Sequence, residues 1–196
     1  FFKENSLSNG EFMIGIPGTV GGAIKMNAGA YGWEFSELLK ELKCFNLETL
    51  KTEYLKKEEL DFSYRKSKNL DNKIILGATL SVEKGDKKII DKNLSVFNEM
   101  RKKSQPAAIY NAGSVFKNTD DYFAGELIDN AGLKGYEIDG VSVSEKHANF
   151  FIAKKGAKAI SLYELVQYVK GKVRTKFGVF LEEEIIFIGD FTKWMN

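Results

Sequence analysis

The strongest periodic signal in this chain lies near its end. In "SLYELVQYVKGKVRTKFG", residues 161–178, Leu162, Leu165, Val166, Val169, Val173 and Phe177 recur every three or four positions, which predicts an amphipathic helix. Ser161 and Glu164 have the S-x-x-E spacing of a capping box, and Gly178 is placed to end the helix. A second stripe, Ile90, Leu94, Phe97 and Met100, predicts a helix in "KKIIDKNLSVFNEMRKK", and "YFAGELIDNAGL" predicts a third. Elsewhere the period shortens towards two. "LLKELKCFNLETLKTEYL" reads as two strands around "NLET", and "KIILGATLSVEKGD" as a strand ended by a glycine turn. "SVFKN", a two-strand stretch in "EIDGVSVSEKHANFFIAKKG", and "EIIFIGDF" are the remaining expected strands.

Strands and helices mix without strict alternation, which favours an α+β class over a doubly wound sheet. Pro106, one of only two prolines, follows the helix of residues 87–103 and cannot continue it. It marks a boundary between an expected domain at 1–103 and another at 104–196.

Composition narrows the partners. The 196 residues are 43% hydrophobic, enough for a real core, and 29 basic against 27 acidic side chains leave a net charge of +2. That balance gives no reason to expect nucleic acid or an anionic membrane as a partner. No apolar run approaches the roughly 18 to 20 residues that span a bilayer. A single cysteine, Cys44, and a single histidine, His147, argue against a thiolate or zinc centre and fit a reducing, cytoplasmic setting.

One stretch departs from this ordinary picture. "GIPGTVGGAIKMNAGAYG", residues 15–32, carries six glycines and three alanines in eighteen positions. Neither the P-loop nor the dinucleotide fingerprint G-x-G-x-x-G fits it. Two readings stand. Tight packing of turns and small-residue strands is one; bare backbone left open to an anion or a flat ring is the other.

The order of motifs decides what the chain resembles. "GIPGTVGGA" with "NAGAYG", then "DFSYRKS", "NAGSVFKN", "AGELIDNAGLKG", "VSVSEKHANFFI" and "FGVFLEEEIIFIG" follow one another as in the UDP-N-acetylenolpyruvoylglucosamine reductase (MurB) family. These are flavoproteins of peptidoglycan precursor synthesis, with an FAD-binding fold shared with the vanillyl-alcohol oxidase group. The resemblance implies part of such an FAD-binding domain followed by a small α+β substrate-binding domain, whose last strand is a candidate to return to the first. It also implies the chemistry: NADPH reduces FAD, and hydride then passes to UDP-N-acetylglucosamine enolpyruvate, giving UDP-N-acetylmuramate.

By the same resemblance Arg65 in "SYRKS" stabilises the negative charge that develops on the substrate, where composition alone reads it as a surface ion-pair residue. Ser114 in "AGSVF" becomes the proton donor rather than an ordinary turn serine. Glu184 is the third member, with Glu182 the competing register in the run 182–184. Tyr31 and Asn118 are implied to contact the sugar nucleotide; core packing and a helix cap are their respective alternatives. Pro17, Gly18, Thr19, Gly21, Gly22, Asn27 and Gly29 are implied to hold the flavin. His147 takes no catalytic role and is expected half-buried and hydrogen-bonded.

About seventy residues separate Ser114 from Glu184, the spacing of the family's shorter subclass. "NTDD" stands where Asn-Pro is usual, and the Gly-Gly-Ser-Asn-type loop of the family's first lobe is missing. A chain lacking that lobe is expected to bind FAD weakly and to expose apolar surface that invites self-association. Another flavin oxidoreductase of the same fold and a non-catalytic module are the competing functions.

Overall fold

The computed structural model describes residues 1–107 and 110–191. They fall into two compact units, Phe1–Arg101 and Lys102–Asn196.

The first unit is built on a three-stranded antiparallel sheet. Leu39–Asn46 is central, between Lys51–Lys56 and Lys73–Leu80. The central strand buries Leu39, Leu42 and Cys44, a spacing that breaks strict alternation. A bulge explains it: Leu39 faces Leu80 and Glu41 faces Thr79, so one residue is extra on the central strand and the inward phase shifts between Leu39 and Leu42. Between Lys43 and Cys44 the extra residue lies on the partner, and the alternation of Leu42, Cys44 and Asn46 is undisturbed. Ile24, Phe35, Leu60 and Leu70 close that core. The helix Lys87–Ser104 forms as its stripe predicts and buries Ile90 at its start, but Met100 is 48% exposed, so the buried face stops short.

The second unit is a small α+β domain. The helix Ala159–Phe177 packs Leu165, Val166, Val169 and Val173, all fully buried, into one core with the helix Ala124–Asn130 and a three-stranded sheet. That sheet runs Glu137–Ile138, Val141–Val143, Phe151–Ala153. In place of the two strands expected in "EIDGVSVSEKHANFFIAKKG" there are three, because "EIDGVSV" turns as a hairpin at Asp139 and Gly140, both in left-handed backbone, φ +42° and +83°. A D-G pair is well suited to that two-residue turn.

Three expectations need correction. The long helix begins at Ala159 with Lys158 at its N-cap, so the Ser161–Glu164 capping box does not form; Ser161 is buried inside the first turn. Alanine and isoleucine extend the helix backwards at little cost. At the other end Gly178 does stop it, at φ +72°, while Phe177 is 37% exposed. "SVFKN" is not a continuous strand but makes single bridges, Ser114 to Phe150 and Phe116 to Glu183, and "EIIFIGDF" forms no strand, with Ile186 and Ile188 facing outward. Their ladder is interrupted because side chains and a bulge supply the missing bonds, as set out below.

Truncating Leu165 to alanine removes a side chain from the centre of the second core. We expect a stability loss of about 2 to 5 kcal/mol in urea unfolding. Phe177→Ala should cost clearly less.

Candidate functional site

In the first unit the glycine-rich segment divides into parts with different physical reasons. Residues 16–19 form an exposed turn. Gly18 sits at φ +119°, a conformation for glycine alone, and nothing lies within 4 Å of where its Cβ would stand. Thr19 then caps the six-residue helix Val20–Lys25, its Oγ1 accepting from Gly22 N–H at 3.1 Å. At Gly21 and Gly22 a Cβ would make ordinary contacts, with Ile75 at 3.7 Å and Thr19 Oγ1 at 3.4 Å. Gly29 is different. A Cβ there would lie 2.6 Å from the Trp33 carbonyl oxygen, so the glycine is required by the hairpin itself.

Asn27 is fully buried at φ +43°, and its carboxamide is spent inside the protein. Nδ2 donates to Glu34 Oε2 at 2.7 Å and to the Ser63 carbonyl at 3.2 Å, while Oδ1 accepts from Ser36 N–H at 3.0 Å. Tyr31 stacks on Phe97, ring centroids 4.6 Å apart, and donates its hydroxyl to the Phe97 carbonyl at 2.9 Å. Its side chain therefore packs on the helix Lys87–Ser104.

Arg65 occupies the turn between Phe62–Ser63 and Lys66–Ser67 at φ +53°, rare for a residue with a Cβ. Its guanidinium lies over the Tyr64 ring at 4.6 Å and donates to the Gly29 carbonyl at 3.3 Å. Arg65 and the hairpin at Gly29 are thus brought together.

The second unit holds Ser114, Asn118 and Glu184. The Glu184 N–H donates to the Val115 carbonyl at 2.8 Å and the Ile185 N–H approaches the same oxygen at 3.4 Å, the pattern of a bulge. Ser114 and Glu184 therefore lie on adjoining segments, both half-buried. Among the described residues the Ser114 hydroxyl makes no hydrogen bond. Asn118 Oδ1 accepts from Ala124 N–H at 3.0 Å, capping the helix Ala124–Asn130. Glu182, the competing register, pairs with Lys117, and Glu183 pairs with Lys170 at 2.6 Å. An apolar cavity of about 190 Å³ is lined by Ala112, Val115, Phe151, Leu162 and Ile185 among others, but not by Ser114.

Sequence reasoning missed Asn149. It is buried, and its carboxamide bonds to both backbone groups of Phe116. Nothing in "KHANF" separates this asparagine from a surface one; only the unusual choice of a polar residue before "FFI" hints at it. His147 is half-buried, as expected, and its Nδ1 accepts from the Asn149 N–H at 3.2 Å. Among the described residues no three His, Cys, Asp or Glu side chains gather as a metal cage, and no helix is long and apolar enough to cross a membrane.

Residues 105–188 match the family model described as UDP-N-acetylenolpyruvoylglucosamine reductase, C-terminal domain. The chain is 45% identical over 185 residues to the UDP-N-acetylenolpyruvoylglucosamine reductase of Fervidobacterium nodosum, covering 93% of this chain and 59% of that protein. For the enzyme of the same name from Caldanaerobacter subterraneus subsp. tengcongensis the identity is 42%, with 95% and 62% covered. The crystal structure of UDP-N-acetylenolpyruvylglucosamine reductase (MurB) from Thermus caldophilus superposes with a TM-score of 0.84 at 33% identity, covering 93% of this chain and 65% of that one. The chain spans about three-fifths of the length of these curated relatives.

Two outcomes test this geometry. Gly29→Ala should destabilise the first unit by about 1 to 3 kcal/mol without any ligand present, measured by thermal unfolding, because its Cβ meets a carbonyl. The second concerns pH. Burial pushes the His147 imidazole below its ordinary value of 6.5, the Lys134 charge adds to this, and a backbone hydrogen bond opposes it. The neutral ring is favoured in the folded state, so its contribution is complete above pH 6.5 and is lost as pH falls through the folded value. His147→Gln should flatten the fall of the unfolding midpoint over that window.

Proposed function

Because residues 105–188 belong to the C-terminal domain family of UDP-N-acetylenolpyruvoylglucosamine reductases, we propose that the chain is the greater part of an NADPH-dependent flavoenzyme acting on UDP-N-acetylglucosamine enolpyruvate. The observation that carries this reading is Ser114. Its hydroxyl is uncommitted among the described residues, while its backbone is fixed beside that of Glu184.

The residues at 17–20 fit an FAD. Pro17, Gly18, Thr19 and Val20 are exposed, Val20 by 60%, and the space around Gly18 is open, so a flat ring or a phosphate oxygen can approach main chain directly. Gly29 and Asn27 are committed instead to the hairpin at residues 29–34 and its surroundings. FAD held there and reduced by NADPH would supply the hydride that adds to the enolpyruvyl carbon distal to the carboxylate.

The remaining work falls to side chains. Negative charge develops towards the substrate carboxylate as the double bond is reduced, and Arg65 meets it with a planar cation that stays charged throughout. Its guanidinium is already oriented by Gly29 and Tyr64, so little reorganisation is needed. Ser114 delivers the proton to the second carbon. A hydroxyl is a weak acid, so it acts on a strongly basic centre, and its freedom from internal bonds leaves its proton available. Glu184 contributes an acceptor that can hold a donor in one orientation. Asn118 keeps its Nδ2 donor for substrate, since only Oδ1 is used as a cap.

Ser114→Ala in the flavin-loaded enzyme should leave flavin reduction by NADPH unchanged and slow flavin reoxidation by the enolpyruvyl substrate about 10²- to 10⁴-fold. Equal losses in both half-reactions, measured by stopped-flow absorbance, would remove Ser114 from the donor role.

A further inference from the structure

Residues 114–118 carry two polar groups of the proposed site, yet they form no strand of their own. Something else must hold their main chain. On one flank Lys117 N–H donates to the Glu182 carbonyl at 2.8 Å, and the Val115 carbonyl receives Glu184 N–H. On the other flank the Val115 N–H donates to the Asn149 carbonyl at 2.8 Å, and at the next residue a side chain takes over. Phe116 N–H donates to Asn149 Oδ1 at 2.9 Å, and Asn149 Nδ2 donates to the Phe116 carbonyl at 2.8 Å.

A carboxamide is the side-chain group that reproduces a peptide's donor and acceptor together. Here both arms close on one residue, as a paired strand would. Asn149 is only 2% exposed and Phe116 not at all, so these bonds have no water to replace them. The clamp is itself fixed. His147 Nδ1 accepts from Asn149 N–H at 3.2 Å, Phe150 N–H donates to the His147 carbonyl at 2.9 Å, and Phe150 bridges to Ser114.

We propose that Asn149 is a positioning residue: its carboxamide stands in for a strand at Phe116 and thereby sets where the Ser114 hydroxyl and the Asn118 amide are presented. Phe116 is two residues from each, so a shift of its backbone moves both groups together. Asn149 touches no reacting atom. The claim that it supports catalysis rests on the reading of Ser114 as proton donor; the clamp does not.

Two experiments separate these claims. In amide hydrogen exchange on the wild-type protein, the Phe116 N–H should be strongly protected, and Asn149→Asp should lower that protection. A charged carboxylate still accepts from Phe116 N–H but faces the Phe116 carbonyl with no donor. Exchange at Phe116 as fast as at exposed Asp120 would overturn the clamp, whatever the enzyme does. The second experiment uses the flavin-loaded enzyme. Asn149→Asp should slow flavin reoxidation by the enolpyruvyl substrate about 10- to 100-fold while leaving reduction by NADPH within about twofold, since small misplacements of a reacting group carry losses of this size. Lowering the pH should partly restore the reoxidation rate of the variant relative to wild type, because a protonated carboxyl regains the O–H donor. If protection is lost but both half-reactions are untouched, Asn149 is structural only. If Ser114→Ala proves silent while Phe116 loses protection as expected, the clamp survives and the donor assignment fails.

Discussion

A main-chain N–H or C=O taken out of water must find a partner, and in this protein the partner is repeatedly an asparagine. In the first unit, buried Asn27 ties together the end of the glycine-rich segment, the start of the short helix Phe35–Leu38 and the turn at Ser63. Asn46 does the same at a sheet corner, its Oδ1 accepting from Glu48 and Thr49 N–H. In the second unit Asn149 completes the pairing of Phe116. Asn149 stands where the chain is too irregular for a ladder, and an apolar residue in its place would leave both backbone groups of buried Phe116 unpaired, at about 1 to 3 kcal/mol apiece. Regular elements supply the cores, but these amides hold the segments between them.

That constraint changes how the glycine-rich segment is understood. Its poverty in side chains has several causes. Gly15, at φ +72°, accepts the close approach of the Arg101 side chain; Gly32, at φ +84°, turns the hairpin; Gly29 makes room for the Trp33 carbonyl. These are packing and turn requirements. At Gly18 and at Gly32 the bare backbone also faces open space, with nothing within 4 Å of where a Cβ would stand. The segment is thus a scaffold over most of its length, with exposed main chain at 17–20 and at Gly32.

Elements that satisfy themselves were legible in the amino-acid order. The strands Leu39–Asn46 and Lys51–Lys56 and the helix Ala159–Phe177 each carry their own periodicity, and Gly178 its own stop. The start of that helix is not legible in the same way, because the S-x-x-E spacing also occurs inside a helix, where Ser161 is buried. Residues 114–118 and 184–191 look like strands by composition, but what pairs the first is a side chain 33 residues away, and no local pattern announces it. For the candidate site the same division holds. Motif order pointed to Arg65, Ser114 and Glu184, whereas the employment of Asn27, Tyr31 and Asn118 in internal bonds became visible only with the partners in place.

On the proposed reading Arg65 and Ser114 are prepared in opposite ways, and the difference suits the role proposed for each. A cation that offsets developing charge works best when its direction is set beforehand, because reorientation in the transition state consumes part of the gain. Arg65 meets this requirement through its side chain: the guanidinium is bonded to Gly29 and laid on Tyr64, above a backbone held at φ +53°. A proton donor has the reverse need. Its oxygen must be placed, but its hydrogen must not already be given away. Ser114 is placed through its backbone, by the bridge to Phe150 and the pairing of Val115, while its hydroxyl stays free of internal partners among the described residues. An arginine held only by its main chain, or a serine bonded to its neighbours, would suit the proposed chemistry less well.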